Sequence, residues 1–182
     1  MLNKKEFRQK ISKINKDNIN KDFSVEDSII LEKVKNCDNF KAAKTVLLFY
    51  PFPNEVNVSA LIDYCLQQGK KVGLPKTYKE EIKFFYITKD WKNDLTQGVF
   101  NTIEPKSENQ IKFFDKESVV IVPSLALAKD KSRIGHGKGY YDKFLSLNKE
   151  LFKIGICRKH LLFNSIPTNG NDIKMDLIIS SN

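Results

Sequence analysis

The stretch 133-RIGHGKGYYDKF-144 sets three glycines among Arg133, His136 and Lys138, then adds two tyrosines and Asp142 at once. Gly135, Gly137 and Gly139 leave room for a ligand to touch the main chain, whose successive N–H groups then form an anion-binding nest. A helix starting near Tyr140 would add its positive end at the same place. Arg133 and Lys138 bring full charges, so the chemistry points to a phosphate-rich ligand. The spacing is G-x-G-x-G, which is neither a Walker A loop nor the dinucleotide pattern G-x-G-x-x-G. A tight strand-to-helix turn with solvated charges is the competing reading. Asp142 bears on the choice. In the first turn of that helix its carboxylate would repel a bound phosphate unless a magnesium ion bridged the two. The alternative is that Asp142 only complements the helix dipole.

Several elements must position this loop. Residues 4–16 place Phe7, Ile11 and Ile14 on one face of a helix. Ser24 opens a second helix, with Asp27 as the expected capping-box partner. The apolar run 45-TVLLFY-50 reads as a strand covered on both faces, and 51-PFPNE-55 stops it. Helical spacing of Val58, Leu61, Ile62, Cys65 and Leu66 predicts a helix closed by Gly69. Strands are expected at 71–75, 82–88, 119–128, 152–157 and 176–180, with a helix over 140–148 and a polar, irregular segment at 89–117. Strands alternating with helices predict an α/β fold: one three-layer, Rossmann-like domain spanning 1–182, with a mostly parallel central sheet flanked by helices. In such sheets ligands bind beyond the carboxyl ends of the strands, where 51–55 and 129–139 both fall.

The 182 residues are 41% hydrophobic and 29% charged, which suits one globular domain with a real core. No apolar run approaches a membrane span of roughly 20 residues. The charged start MLNKKEFRQK lacks the apolar stretch of a secretory signal. Cys37, Cys65 and Cys157 are dispersed and odd in number, so buried thiols in a reducing cytoplasm are expected rather than disulfides or a zinc knuckle. The net charge of +9 attracts polyanions, but the lysines are scattered among acids, unlike a nucleic-acid arm.

With its neighbours, the glycine loop resembles the signature of the 5-formyltetrahydrofolate cyclo-ligases, also called methenyltetrahydrofolate synthetases, which reads close to R-L-G-x-G-x-G-Y-Y-D-x-[FY]-L. Four further blocks agree in the same order: 4-KKEFR-8, 54-NEVNVSALIDYCLQQGKKVGLPK-76, 103-IEP-105 and 166-IPTNGNDIKMDLII-179. The resemblance implies ATP-dependent closure of 5-formyltetrahydrofolate to 5,10-methenyltetrahydrofolate, with magnesium required. It implies that Lys4 and Arg8 reach the ATP phosphates. Arg133, Ile134, Gly135, His136, Gly137, Lys138, Gly139, Tyr140 and Tyr141 would wrap ATP, and His136 through Tyr140 would also face the folate. Tyr50, Glu55 and Phe100 would line the folate site, and Asp142 and Asp172 would bind magnesium. Arg133 and Lys138 would supply the catalytic charge. The partners implied are small molecules, a reduced folate and ATP, acting on a cytoplasmic monomer without nucleic acid or membrane.

Local readings stay open beside these. Lys4 and Arg8 alone read as solvent-facing helix charges, Glu55 as a surface acid after a turn, and Asp172 as the turn-forming residue of 169-NGND-172. Phe100 stands where relatives carry Trp, and His136 where they often carry Arg or Tyr. Two other classes compete. A nucleic-acid module would stack bases on Phe84, Phe85 and Tyr86. A phosphosugar isomerase or acyl-transferase on a similar scaffold would need no ATP.

Overall fold

The computed structural model describes residues 2–182, apart from the side chain of Phe100. Its helices are α1 (Lys4–Asp17), α2 (Ser24–Asn36), α3 (Asp38–Ala42), α4 (Ser59–Gln67) and α5 (Tyr140–Leu147). The first five strands are β1 (Thr45–Leu47), β2 (Lys71–Thr77), β3 (Ile82–Ile87), β4 (Leu95–Gln97) and β5 (Ile103–Pro105). Then come β6 (Ser118–Val122), β7 (Ala126–Ala128), β8 (Arg133–Ile134), β9 (Phe152–Ile156), β10 (Leu162–Phe163) and β11 (Leu177–Ile179).

The central sheet runs β11-β9-β6-β1-β2-β3, parallel throughout except for the antiparallel edge pair β2–β3. Alternate residues on each strand point to opposite faces. Val46, Val119 and Ile121 therefore pack with α2, α3 and α4, while Leu47, Val120 and Val122 pack with α1 and α5. The expected three-layer α/β arrangement is what forms. Two small sheets, β10-β7-β8 and β4-β5, sit outside it.

Several local expectations need correction. Asp27 does not cap α2; the N-terminus of that helix has no side-chain cap, and Asp27 is buried for another purpose described below. The apolar run 119–128 is two strands in different sheets, because Pro123 has no N–H to donate and the chain leaves the sheet there. The run 45–50 is a strand only over Thr45–Leu47, with one further bond from the Leu48 N–H to Gly73 O at 2.9 Å. Residues 71–75 and 82–88 form a hairpin, since a turn closed by the Tyr78 N–H to Glu81 O bond (2.8 Å) is too short for a crossover. Within 89–117 the β4–β5 hairpin forms, and Trp91 is a core residue whose Nε1 donates to Asp63 at 2.7 Å.

The topology makes the site. From β1 the chain goes through α4, on one face, to β2. From the adjacent β6 it goes through α5, on the other face, to β9. Opposite crossovers from neighbouring parallel strands open a crevice beyond their carboxyl ends. The loops 48–55 and 123–139 leave from that edge.

Candidate active site

A cavity of about 1000 Å³ fills the crevice. Tyr50 and Glu55 from the first loop, residues 133–142 from the second, Lys4 and Arg8 of α1, and Asp172 all line it. Phe100, the remaining expected site residue, has a side chain outside the described residues. The structure thus gathers around one cavity groups that lie far apart in the chain.

The glycine loop is held from below and from the side. Buried Arg133 donates from Nη1 to Pro123 O at 3.1 Å and from Nη2 to Asp142 Oδ2 at 3.0 Å. A Cβ on Gly135 would lie 2.5 Å from Arg133 Nη1, so the bare backbone lets the loop rest on the guanidinium. From α1, Arg8 Nε donates to Gly135 O at 2.8 Å. Gly137 has φ +99 and passes so near Arg8 that a Cβ would come within 3.2 Å of its Cζ. One turn earlier on the same helix, Lys4 pairs with Asp172. Helix α1 therefore clasps both the loop and the 169–173 turn. The Asn3–Glu6 capping box fixes where that helix starts.

Both carboxylates expected to meet magnesium already have partners. Asp142 accepts the Ile173 N–H at 3.2 Å through Oδ1, in addition to Arg133. Asp172 accepts the Asn169 N–H at 2.7 Å, so it forms the turn as well as pairing with Lys4. The Asp142–Ile173 bond ties the residue after Asp172 to Asp142, and both acids line the cavity. Among the described residues no group of three or more His, Cys, Asp or Glu could hold a metal ion by itself.

Glu55 is the unusual acid. It is buried; Oε2 accepts the Phe52 N–H at 3.0 Å, and Oε1 has no hydrogen-bond partner among the described residues. Burial pushes its carboxyl up to about 7, against the Phe52 N–H bond, Arg133 and Arg158, which favour the charged form. The Nε2 of His136 lies 3.8 Å from Oε1, and the His136 ring packs on Phe52 with centroids 5.4 Å apart. Burial, and after it Arg133 and Arg8, hold His136 below its ordinary value. The Tyr141 hydroxyl is also buried without a hydrogen-bond partner among the described residues, and burial raises its pKa strongly.

Residues behind the wall set its shape. Arg158 donates from Nε to Asp27 Oδ1 at 2.8 Å, and from Nη2 to Asp27 Oδ2 at 2.9 Å and Glu55 O at 2.7 Å. Asp27 also accepts the Asn57 N–H at 2.9 Å. This buried pair anchors the 52–57 backbone, and a second cavity of about 900 Å³ lies on its side of that loop. In 103-IEP-105, buried Glu104 accepts the Thr77 N–H at 2.9 Å and the Thr102 hydroxyl at 2.8 Å, tying β5 to β2 at the cavity rim.

Sequence reasoning missed Phe52, Lys143 and the 169–171 backbone as cavity lining. The proline-flanked Phe52 was readable as a held aromatic. Lys143 was readable as the cation one helical turn after Gly139. Phe84 and Phe85, considered above for base stacking, are buried in β3 and serve the core.

A sequence profile of the 5-formyltetrahydrofolate cyclo-ligase family matches residues 1–181. The chain belongs to that family. Similar cyclo-ligases include the probable enzyme of Schizosaccharomyces pombe, 33% identical over 167 residues that cover 83% of this chain and 81% of that one. The 5-formyltetrahydrofolate cyclo-ligase of Saccharomyces cerevisiae is 31% identical over 148 residues, covering 69% of each. In structure, the chain is similar to the 5,10-methenyltetrahydrofolate synthetase of Aquifex aeolicus, with a TM-score of 0.80, 26% identity, and coverage of 98% of this chain and 89% of that one. Within a cyclo-ligase frame, then, the cavity joins a cationic glycine loop to a loop carrying a buried acid. No helix among the described residues is long and apolar enough to cross a membrane.

The buried carboxyl of Glu55 has a measurable cost. Its pKa is raised in the folded chain, so its contribution to stability is fully present below about pH 4.5 and is lost as pH rises through about 7. Glu55→Gln removes that dependence. The variant is expected to be more stable than the wild type by about 3 kcal/mol near pH 8, with the difference vanishing toward pH 4.5. Urea midpoints of both proteins across this range test it.

Proposed function

We propose that the enzyme closes 5-formyltetrahydrofolate to 5,10-methenyltetrahydrofolate at the expense of ATP. The observation that carries this reading is the cavity at the β1–β6 crevice, where a glycine loop, cations and a buried carboxyl meet in a chain of the cyclo-ligase family. The triphosphate would lie against the 135–139 backbone beside Lys138, with Lys4, Arg8 and Lys143 around it. The reduced folate would lie between Tyr50, Glu55 and the 136–140 face of the loop, with Phe100 contributing to that site.

Asp142 and Asp172 fit a magnesium ion that arrives on the triphosphate, since magnesium keeps much of its water and takes one or two carboxylates besides substrate oxygens. Bound there, it would neutralise charge on the phosphates as the phosphoryl group moves. The pairing of these acids with Arg133 and Lys4 keeps them aimed at the wall until then.

The formyl carbonyl is amide-like, so its oxygen leaves poorly. Transfer of the γ-phosphoryl group to that oxygen makes phosphate the leaving group. N10 then attacks the formyl carbon, and phosphate departs. Phosphoryl transfer asks mainly for alignment and charge stabilisation, which the loop amides, Lys138 and the neighbouring cations supply. Arg133 acts from beneath, through its hold on Gly135 and Asp142. The test is absorbance of the methenyl product with and without ATP. Product with ATP and none without it is expected; turnover without nucleotide would instead favour an isomerase or acyl-transferase.

A further inference from the structure

We propose that Glu55 takes the N10 proton during ring closure and that His136 passes it to solvent. This rests on the reaction proposed above and extends it to the fate of one proton. N10 enters the reaction as N–H and ends in the product with none, so a base must accept that proton.

The geometry selects Glu55. Glu55 lines the cavity, and its Oε1 is buried with no hydrogen-bond partner among the described residues. Its Oε2 is held by the Phe52 N–H, and the Glu55 backbone is held by Arg158, so the carboxylate cannot swing away. The other two acids of the cavity are paired with Arg133 and Lys4, and can take a proton only by giving up an ion pair. The Tyr141 hydroxyl near Glu55 is neutral, since burial raises its pKa. The charged groups that act on Glu55 are Arg133 and Arg158, and those that act on His136 are Arg133 and Arg8. Burial, and after it these cations, hold His136 below its ordinary value, while burial leaves Glu55 a stronger base than an ordinary carboxylate. His136 is the exit: its Nε2 lies 3.8 Å from Oε1, and its side chain is 45% exposed.

The step balances. The N10 lone pair forms the bond to the formyl carbon, and the N10–H electrons stay on nitrogen as the proton moves to Glu55 Oε1. The bond from that carbon to the phosphorylated oxygen breaks, and its electrons leave with phosphate. The proton then passes from Glu55 to His136 Nε2 and on to water.

The experiment is steady-state kinetics of the wild type, Glu55→Gln and His136→Gln across pH 5–9 with 5-formyltetrahydrofolate and magnesium ATP. Glutamine keeps the size and hydrogen bonding of Glu55 but accepts no proton. For Glu55→Gln the expected result is a fall in kcat of about a hundred- to ten-thousandfold, with KM for the folate within about threefold of the wild type. The rising limb of kcat/KM expected for the wild type near pH 7 should be absent. His136→Gln should keep that limb, turn over more slowly, and recover on addition of imidazole. If Glu55→Gln raises KM and leaves kcat intact, Glu55 only binds substrate and the proposal is overturned. Persistence of the rising limb in Glu55→Gln overturns it too. A wild type that makes no methenyl product with ATP overturns the proposed reaction itself, a different failure from a competent wild type with an equally competent Glu55→Gln.

Discussion

Replacing Lys138 by alanine is expected to lower kcat/KM by about a hundred- to a thousandfold and to leave the urea midpoint where it is. Lys138 is exposed on the cavity side of the glycine loop, so its removal opens no core cavity. On the proposed reaction, what it loses is a positive charge placed where phosphoryl charge redistributes. Such a charge acts in the transition state more than in the bound substrate, so the loss should fall mainly on kcat. Retention of wild-type turnover would remove Lys138 from the catalytic group and leave the loop as a binding cradle alone.

The largest effect on stability is expected away from the loop. Arg158→Met should cost about 3–5 kcal/mol, because it strands Asp27 as a buried carboxylate with its charge uncompensated. Urea unfolding measures the loss. Pairing it with Asp27→Leu should restore most of the stability, since no unmatched charge then remains. The double variant would still lack the Arg158 bond to Glu55 O, so its folate KM should stay raised. A single Arg158→Met protein as stable as the wild type would mean that the pair is not the anchor described here.

These two residues also mark how far the sequence could be read. Lys138 was legible because glycine spacing, charge and a following helix all lie within a dozen residues. Asp142 was legible as an acid beside the glycine loop and Asp172 as the turn-forming residue of 169-NGND-172, but their pairing with Arg133 and Lys4 is a property of the assembled wall. Arg158 was illegible. Its partner Asp27 lies 131 residues away, and nothing in RKH at 158–160 distinguishes a buried arginine from a surface one. Asp27 was misread for the same reason, since a cap and a core ion pair look alike without the distant partner.

The fold followed a similar division. Alternating strands and helices predicted the parallel sheet and its loop-bearing edge, because both faces are covered and its central strands β1 and β6 are nearly all apolar. The hairpin at β2–β3 turned on a short connection, and the division of 119–128 turned on the single missing donor at Pro123. Both exceptions were written in local chemistry that overall periodicity outweighed. Glu55 lies between these cases. Its place after β1 was expected at the ligand edge, but its burial is a property of the assembled crevice, where the Phe52 N–H and Arg158 hold its loop.

The clasp made by α1 has a consequence for the order of folding. Its bonds join Lys4 to Asp172 and Arg8 to Gly135, partners separated by 168 and 127 residues. Contacts across such large loops form late, since closing the loop loses chain entropy before anything nearby repays it. If the sheet assembles first and the clasp last, the clasp is absent from the rate-limiting barrier. Ligands that tighten the clasp then lengthen the lifetime of the native state without hastening its arrival.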